Sequence, residues 1–217
     1  NNNTDICNAS REIKPEEREK VKAVAGREVK ETVVAYDALA VYSHPSNPVQ
    51  EMTIEDLREI WAEGGTVDRW EQVNPKFQGR IVLFGRQNSS GTYDYFREHV
   101  CDKTADKKQR EFRNGISEMN GSAEVIENIA RTPTGLGYSG MGYKTPSVHW
   151  LKISNKKGEP GVEPGVEAAR AGRYPISRKL YMYTAGEPQG EVKAFMDWVL
   201  SPAGQKIVEK EGFVPLQ

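Results

Sequence analysis

The sequence predicts an α/β protein with mainly parallel sheets. Three observations lead there: apolar runs rich in β-branched and aromatic residues, segments with helical spacing and start signals, and alternation of the two along the chain. In chain order, Pro15 to Ala25 is charged and reads as a surface helix. Val33-Val34-Ala35-Tyr36 and Leu39-Ala40-Val41-Tyr42 then form a nearly continuous apolar run, the pattern of a strand buried on both faces. His44-Pro45-Ser46-Asn47-Pro48 continues neither element, because its two prolines remove donors and fix the backbone; it is a candidate crossover. Thr53-Ile54-Glu55-Asp56 is a capping-box pattern followed by Leu57, Ile60 and Trp61 at helical spacing.

Ile81 to Phe84 is the next buried strand. The polar turn Arg86-Gln87-Asn88-Ser89-Ser90-Gly91-Thr92 follows, and Tyr93 to Val100 reads as a helix with Phe96 and Val100 on one side. Ser122 can cap a short helix that groups Val125, Ile126 and Ile129. Gly135 to Tyr143 alternates glycine with larger residues, as in a strand with close backbone approach. Gly135 to Gly140 also spells G-x-G-x-x-G. It follows a helix and a Thr-Pro turn, so the strand-before-helix context of a dinucleotide fingerprint is missing and that reading is rejected. Glu159-Pro160-Gly161-Val162 repeats as Glu163-Pro164-Gly165-Val166 and suggests an exposed excursion. Leu180 to Thr184 reads as a strand, Val192, Phe195 and Val199 as one helix face, and Ser201-Pro202 as the start of a last helix that Gly212 stops.

A chain of 217 residues can form one large domain or two lobes of about 100 residues each. Thirty Lys and Arg against thirty-one Asp and Glu, interleaved along runs such as Arg11 to Lys30, argue against nucleic acid as a partner. The apolar runs are shorter than ten residues, too short to span a bilayer as a helix. Cys7 and Cys101 lack metal-ligand spacing and read as free, partly buried thiols. His44, His99 and His149 are isolated and read as structural, so neither a metal nor a cofactor is expected. Asn1 to Asp5 resembles neither a signal peptide nor a natural start, which suggests a chain cut from something longer.

Two places point to chemistry. In Arg86 to Thr92, a helix amino terminus offers unpaired N–H groups and about half a positive charge, Ser90 and Thr92 add hydroxyls, Gly91 permits close approach, and Arg86 brings a planar charged fork. The same residues also fit an ordinary N-cap with Arg86 in solvent. Asp37 interrupts the apolar run, where a charge is costly without a partner. Either the strand ends at Tyr36 and Asp37 sits in a turn, or Asp37 lines a closed polar cleft near an arginine. An ionised carboxylate in an anion site suits a protonated anion: it accepts the proton of hydrogen phosphate and repels sulfate, which has none.

Together these residues resemble the substrate-binding proteins of bacterial phosphate ABC transporters. The resemblance covers almost the whole chain. It includes Asp5-Ile6-Cys7-Asn8-Ala9-Ser10-Arg11, the strand with Asp37, the helix from Met52 to Trp61, and Arg86 followed by Ser90-Gly91-Thr92. It extends to Tyr174-Pro175-Ile176-Ser177-Arg178, to Ser201-Pro202-Ala203-Gly204-Gln205, and to Gly212-Phe213-Val214-Pro215. The resemblance implies a two-lobed, type II periplasmic-binding-protein-like α/β fold. Residues 1–46 with 174–217 would form the first lobe and 47–173 the second, closing on phosphate by a hinge. Ser10 would donate from the first lobe and Asp37 would accept the phosphate proton, while Arg86, Ser90, Gly91 and Thr92 would bind from the second. It further implies a monomeric, non-catalytic receptor that serves a membrane ABC permease from the periplasm or cell exterior, in some members as a lipoprotein. The family opens with a strand and a Gly-Ser-Thr-type loop that this chain does not contain. The first lobe is therefore expected to be incomplete at its N-terminus, with a separate N-terminal segment as a candidate completing partner.

Three rival readings remain at this level. The fold could take another tetrahedral oxyanion such as sulfate, molybdate or tungstate, or keep phosphate for sensing. A serine hydrolase using Ser90 or Ser139 is disfavoured because neither lies in a G-x-S-x-G elbow.

Overall fold

A computed structural model describes residues 4–102 and 110–217 of the chain. The elements in chain order are β1 (Cys7–Ala9), α1 (Pro15–Ala25), β2 (Val29–Ser43), β3 (Glu51–Thr53), α2 (Ile54–Trp61), β4 (Val82–Arg86), α3 (Gly91–Phe96), β5 (Ser117–Met119) and α4 (Ser122–Arg131). They continue as β6 (Gly135–Gly140), β7 (His149–Trp150), β8 (Lys152–Ser154), α5 (Val166–Arg170), β9 (Ser177–Ala185), α6 (Gly190–Leu200) and α7 (Pro202–Lys210). The chain packs as two compact units: Asn1–Asp37 with Ser177–Gln217, and Ala38–Ile176. The long strand β2 begins in the first unit and continues in the second.

In the first unit, β9 lies between β1 and β2. β1 runs antiparallel to β9, with Cys7 opposite Tyr183 and Ala9 opposite Tyr181. α1 has no buried residue, as its charge pattern predicts, and ends on Gly26 in the left-handed conformation (φ 65°) that glycine adopts without strain. The buried side chain of Gln205 ties the unit together. Its Nε2 donates to the carbonyls of Val34 (3.0 Å) and Val199 (2.9 Å), and its Oε1 accepts from the Leu216 N–H (2.7 Å). One amide thus joins β2, α6 and the closing segment, whose Val214 also exchanges two backbone hydrogen bonds with Tyr36. Ser201 caps α7 through the Gly204 N–H, ahead of Pro202. On α6 the buried residues are Met196 and Val199, whereas Phe195 is turned outward beside the equally exposed Trp198. The helix face expected from Val192, Phe195 and Val199 is therefore rotated, because Met196 takes the inward position four residues after Val192.

In the second unit the strand order is β2-β6-β4-β5, with β7 also pairing β2. β4 is parallel to both β5 and β6, while β2 is antiparallel to β6 and β7. The sheets are thus mixed rather than mainly parallel, since β6 returns directly alongside the long strand β2. α4 lays Val125, Ile126 and Ile129 against Ala40, Tyr42, Phe84 and Val148. At Gly137 an added Cβ would stand 2.7 Å from the Phe84 carbonyl oxygen and 2.7 Å from Ile129 Cδ1, the close approach that the glycine pattern predicts. Thr53 caps α2 with a reciprocal Asp56 bond, and Leu57, Ile60 and Trp61 are fully buried. Trp61 meets the Phe96 ring at 5.3 Å and the Tyr138 ring at 5.2 Å, both edge-on, while Phe96 and Tyr138 stack at 3.9 Å.

The Pro/Gly repeat departs from a free excursion. Val162 exchanges two backbone hydrogen bonds with Ile153 in β8, and Pro164 is buried. The thiols are free, but they are not both partly buried: Cys7 is exposed on β1 and Cys101 is fully buried. Among the described residues no helix is long and apolar enough to cross a membrane.

Candidate functional site

In the second unit the sequence-predicted residues gather where β4 ends. Arg86 is the last residue of β4, level with Met119 on β5. Its backbone is fixed on both sides, since Gln87 N–H donates to the Met119 carbonyl (3.0 Å). Arg86 Nη1 donates to Ser122 Oγ (2.8 Å) and Nη2 to the Asn120 carbonyl (3.2 Å). Arg86 is therefore held against the start of α4 and does not lie loose in solvent. Its Nε is buried and meets no acceptor among the described residues. Ser122 is the first residue of α4 and Gly121 its N-cap, so the serine expected to cap this helix instead gives its hydroxyl oxygen to Arg86.

Among the described residues no carboxylate pairs with Arg86; both acceptors are neutral. The guanidinium has a fixed direction and an uncompensated charge.

The cap expected ahead of α3 is Ser90, whose Oγ accepts the Thr92 N–H at 3.2 Å. A serine hydroxyl that accepts still has its own proton to donate, so capping and ligand binding are compatible here. Gly91 opens the helix with a negative φ, and a Cβ there would meet no protein atom within 4 Å. Among the described residues no steric contact requires a glycine at this position. Thr92 is half-buried in the same first turn. Beyond Phe96 the helix widens into a π-type turn at Arg97–Cys101, within the segment expected to be helical.

A cavity of about 240 Å³ in this unit is lined by Tyr93, Glu111, Phe112 and Glu118 among others. Its lining also includes Arg113, whose Nη1 donates to the Ile60 and Val67 carbonyls, so the two carboxylates are only partly offset by charge.

In the first unit, Ser10 follows β1 directly and is half-buried. Asp37 stands inside the continuous strand β2 and is 7% exposed, so the turn reading is overturned. The sheet hydrogen bonds continue past Asp37 because a partner lets the charge remain in the strand. Arg178, the second residue of β9, donates from Nε to Asp37 Oδ2 at 3.1 Å, and its Nη2 lies 3.1 Å from the same oxygen. Burial pushes the Asp37 carboxyl above its ordinary range, and the Arg178 charge and hydrogen bond pull the other way. The arginine expected beside Asp37 is thus Arg178, at the end of the closing segment Tyr174 to Arg178.

The remaining candidates are structural. His149 Nε2 lies 3.1 Å from the Val49 carbonyl and 2.9 Å from Ser43 Oγ, and burial lowers its pKa. Ser139 is fully buried and its hydroxyl points to the Ser122 carbonyl (3.5 Å).

These strands, capped helices and charged side chains at strand ends define a protein of the α/β class built from two compact units. The sequence profile of the PBP superfamily domain matches residues 1–203. The phosphate-binding protein PstS of Pseudomonas aeruginosa is 34% identical over 95% of this chain, which spans 66% of that relative, just under two thirds of its length. Among solved structures, a possible phosphate binding protein from Planctomyces limnophilus shares 30% identity at a TM-score of 0.83, over 98% of this chain and 76% of the other. PstS from Borrelia burgdorferi shares 30% identity at 0.76, over 98% and 79%. The chain belongs to the PstS family of the PBP superfamily.

Proposed function

We propose that the chain is the ligand-binding part of an extracytoplasmic receptor that captures inorganic phosphate as hydrogen phosphate and delivers it to an ABC permease. The observation that carries this is the Arg86 guanidinium, fixed by Ser122 and Asn120 with no neutralising carboxylate among the described residues. Relatives named as phosphate-binding proteins support the choice of anion. In this reading the two units are the two lobes of the family fold.

Arg86 binds phosphate oxygens, with Ser90, Gly91 and Thr92 donating from the amino terminus of α3. The open space beside Gly91 admits an oxygen to the backbone. From the other lobe Ser10 donates and Asp37 accepts the phosphate proton. Sulfate, molybdate and tungstate would satisfy the Arg86 side equally well, so selectivity rests on Asp37. In this reading no residue needs to act as a nucleophile; Ser90 Oγ accepts the Thr92 N–H and the Ser139 hydroxyl is buried. Calorimetric titration of the full-length protein with phosphate and with sulfate tests the reading. Strong preference for phosphate is expected, and equal affinities would defeat proton reading by Asp37.

A further inference from the structure

We propose that Arg178 is a positioning residue for anion selectivity, holding Asp37 by Oδ2 as an ionised acceptor so that Oδ1 is presented to the ligand's proton. The inference rests on the phosphate reading above and deepens it. Where Arg178 meets Asp37, its Nε hydrogen bond and its Nη2 contact both fall on the single oxygen Oδ2. A guanidinium facing a carboxylate could grip both oxygens side by side, the usual fork-to-fork arrangement. Here the pair is built on one oxygen and does not use Oδ1.

The need for such a partner follows from the environment. Asp37 sits in a strand between Tyr36 and Ala38 and is almost completely buried, conditions that favour the neutral carboxyl. A neutral carboxyl can donate as well as accept, so it would welcome a proton-free oxyanion as readily as hydrogen phosphate. Arg178 opposes this by supplying the compensating charge from the neighbouring strand β9, and it is itself only half-buried. Its action runs through Asp37, so it is a selectivity residue that need not touch the anion.

The test measures phosphate and sulfate affinities of the full-length protein as wild type, Arg178→Gln, Arg178→Lys, Asp37→Asn, and the Asp37→Asn/Arg178→Gln double variant. Arg178→Gln is expected to lower the phosphate-over-sulfate preference at least tenfold, and Arg178→Lys, which restores a charge, to stay within about threefold of wild type. The double variant should match Asp37→Asn alone, because two residues acting through one carboxylate are not additive. An Arg178→Gln protein whose preference stays within twofold of wild type overturns the role of Arg178 and leaves the phosphate reading standing. A wild type that binds neither anion takes both down. Should the Gln variant fail to fold by circular dichroism, the Lys variant decides: threefold or less supports the proposal, and a tenfold loss overturns it.

Discussion

The first unit meets a buried charge with an opposite charge, whereas the second leaves a fixed charge unmatched. Asp37 is answered by Arg178 on the next strand. Among the described residues Arg86 is answered only by a serine hydroxyl and a backbone carbonyl. An ion pair can keep a buried group charged while adding little net field, whereas neutral acceptors orient a cation and leave its field intact. In the proposed function the two arrangements suit different tasks: the first an acceptor that must stay ionised, the second an attractor for an anion. The units differ in the same way inside, one held by the polar clamp of Gln205 and the other by stacked aromatic rings.

The largest expected effect breaks the second half of this comparison. Arg86→Ala should weaken phosphate binding about 100-fold, because charge-assisted bonds of about 1.5–3 kcal/mol each are lost; calorimetry reads it, and a change below threefold would remove Arg86 from the site. Arg86→Lys should recover only part of the loss, since a point charge cannot reproduce the fork.

Gln205→Leu tests the clamp. With Val34, Val199 and Leu216 losing their partner, the protein should lose about 2–3 kcal/mol of stability in urea denaturation. A loss below about 0.5 kcal/mol would show that water replaces the amide.

Gly91→Ala separates fold from function. The added methyl meets open space, so the melting temperature should hold or rise, by up to about 1 kcal/mol of helix stabilisation, while phosphate affinity falls about tenfold. Unchanged affinity would mean that no ligand oxygen approaches there. The smallest effect belongs to Ser122→Ala, which removes one neutral acceptor from Arg86 and should cost about 1 kcal/mol, or roughly fivefold in binding.

Local patterns made much of the fold legible. The capping box at Thr53, the Ser201-Pro202 start and the charged surface helix α1 are short-range features, and each stands where its residues place it. Asp37 was legible as an anomaly, with a turn and a polar cleft both open, because nothing nearby names its partner: Arg178 is 141 residues away in sequence. The capping habit of Ser122 misled for a related reason, since the hydroxyl goes to Arg86, 36 residues away. The inward face of α6 escaped because Phe195 is as apolar as Met196, and only packing decides which is buried. Patterns within a few residues report backbone geometry, while charge partners are set by strand order, which the sequence does not spell out.

The two cysteines offer a practical handle. Burial pushes the Cys101 thiol up to about 12, so at pH 8 it stays protonated and shielded from reagents, whereas Cys7 is exposed three residues before Ser10. Within residues 1–217 a maleimide fluorophore would therefore label Cys7 selectively, placing an optical reporter three residues before Ser10, the group proposed to donate to the anion.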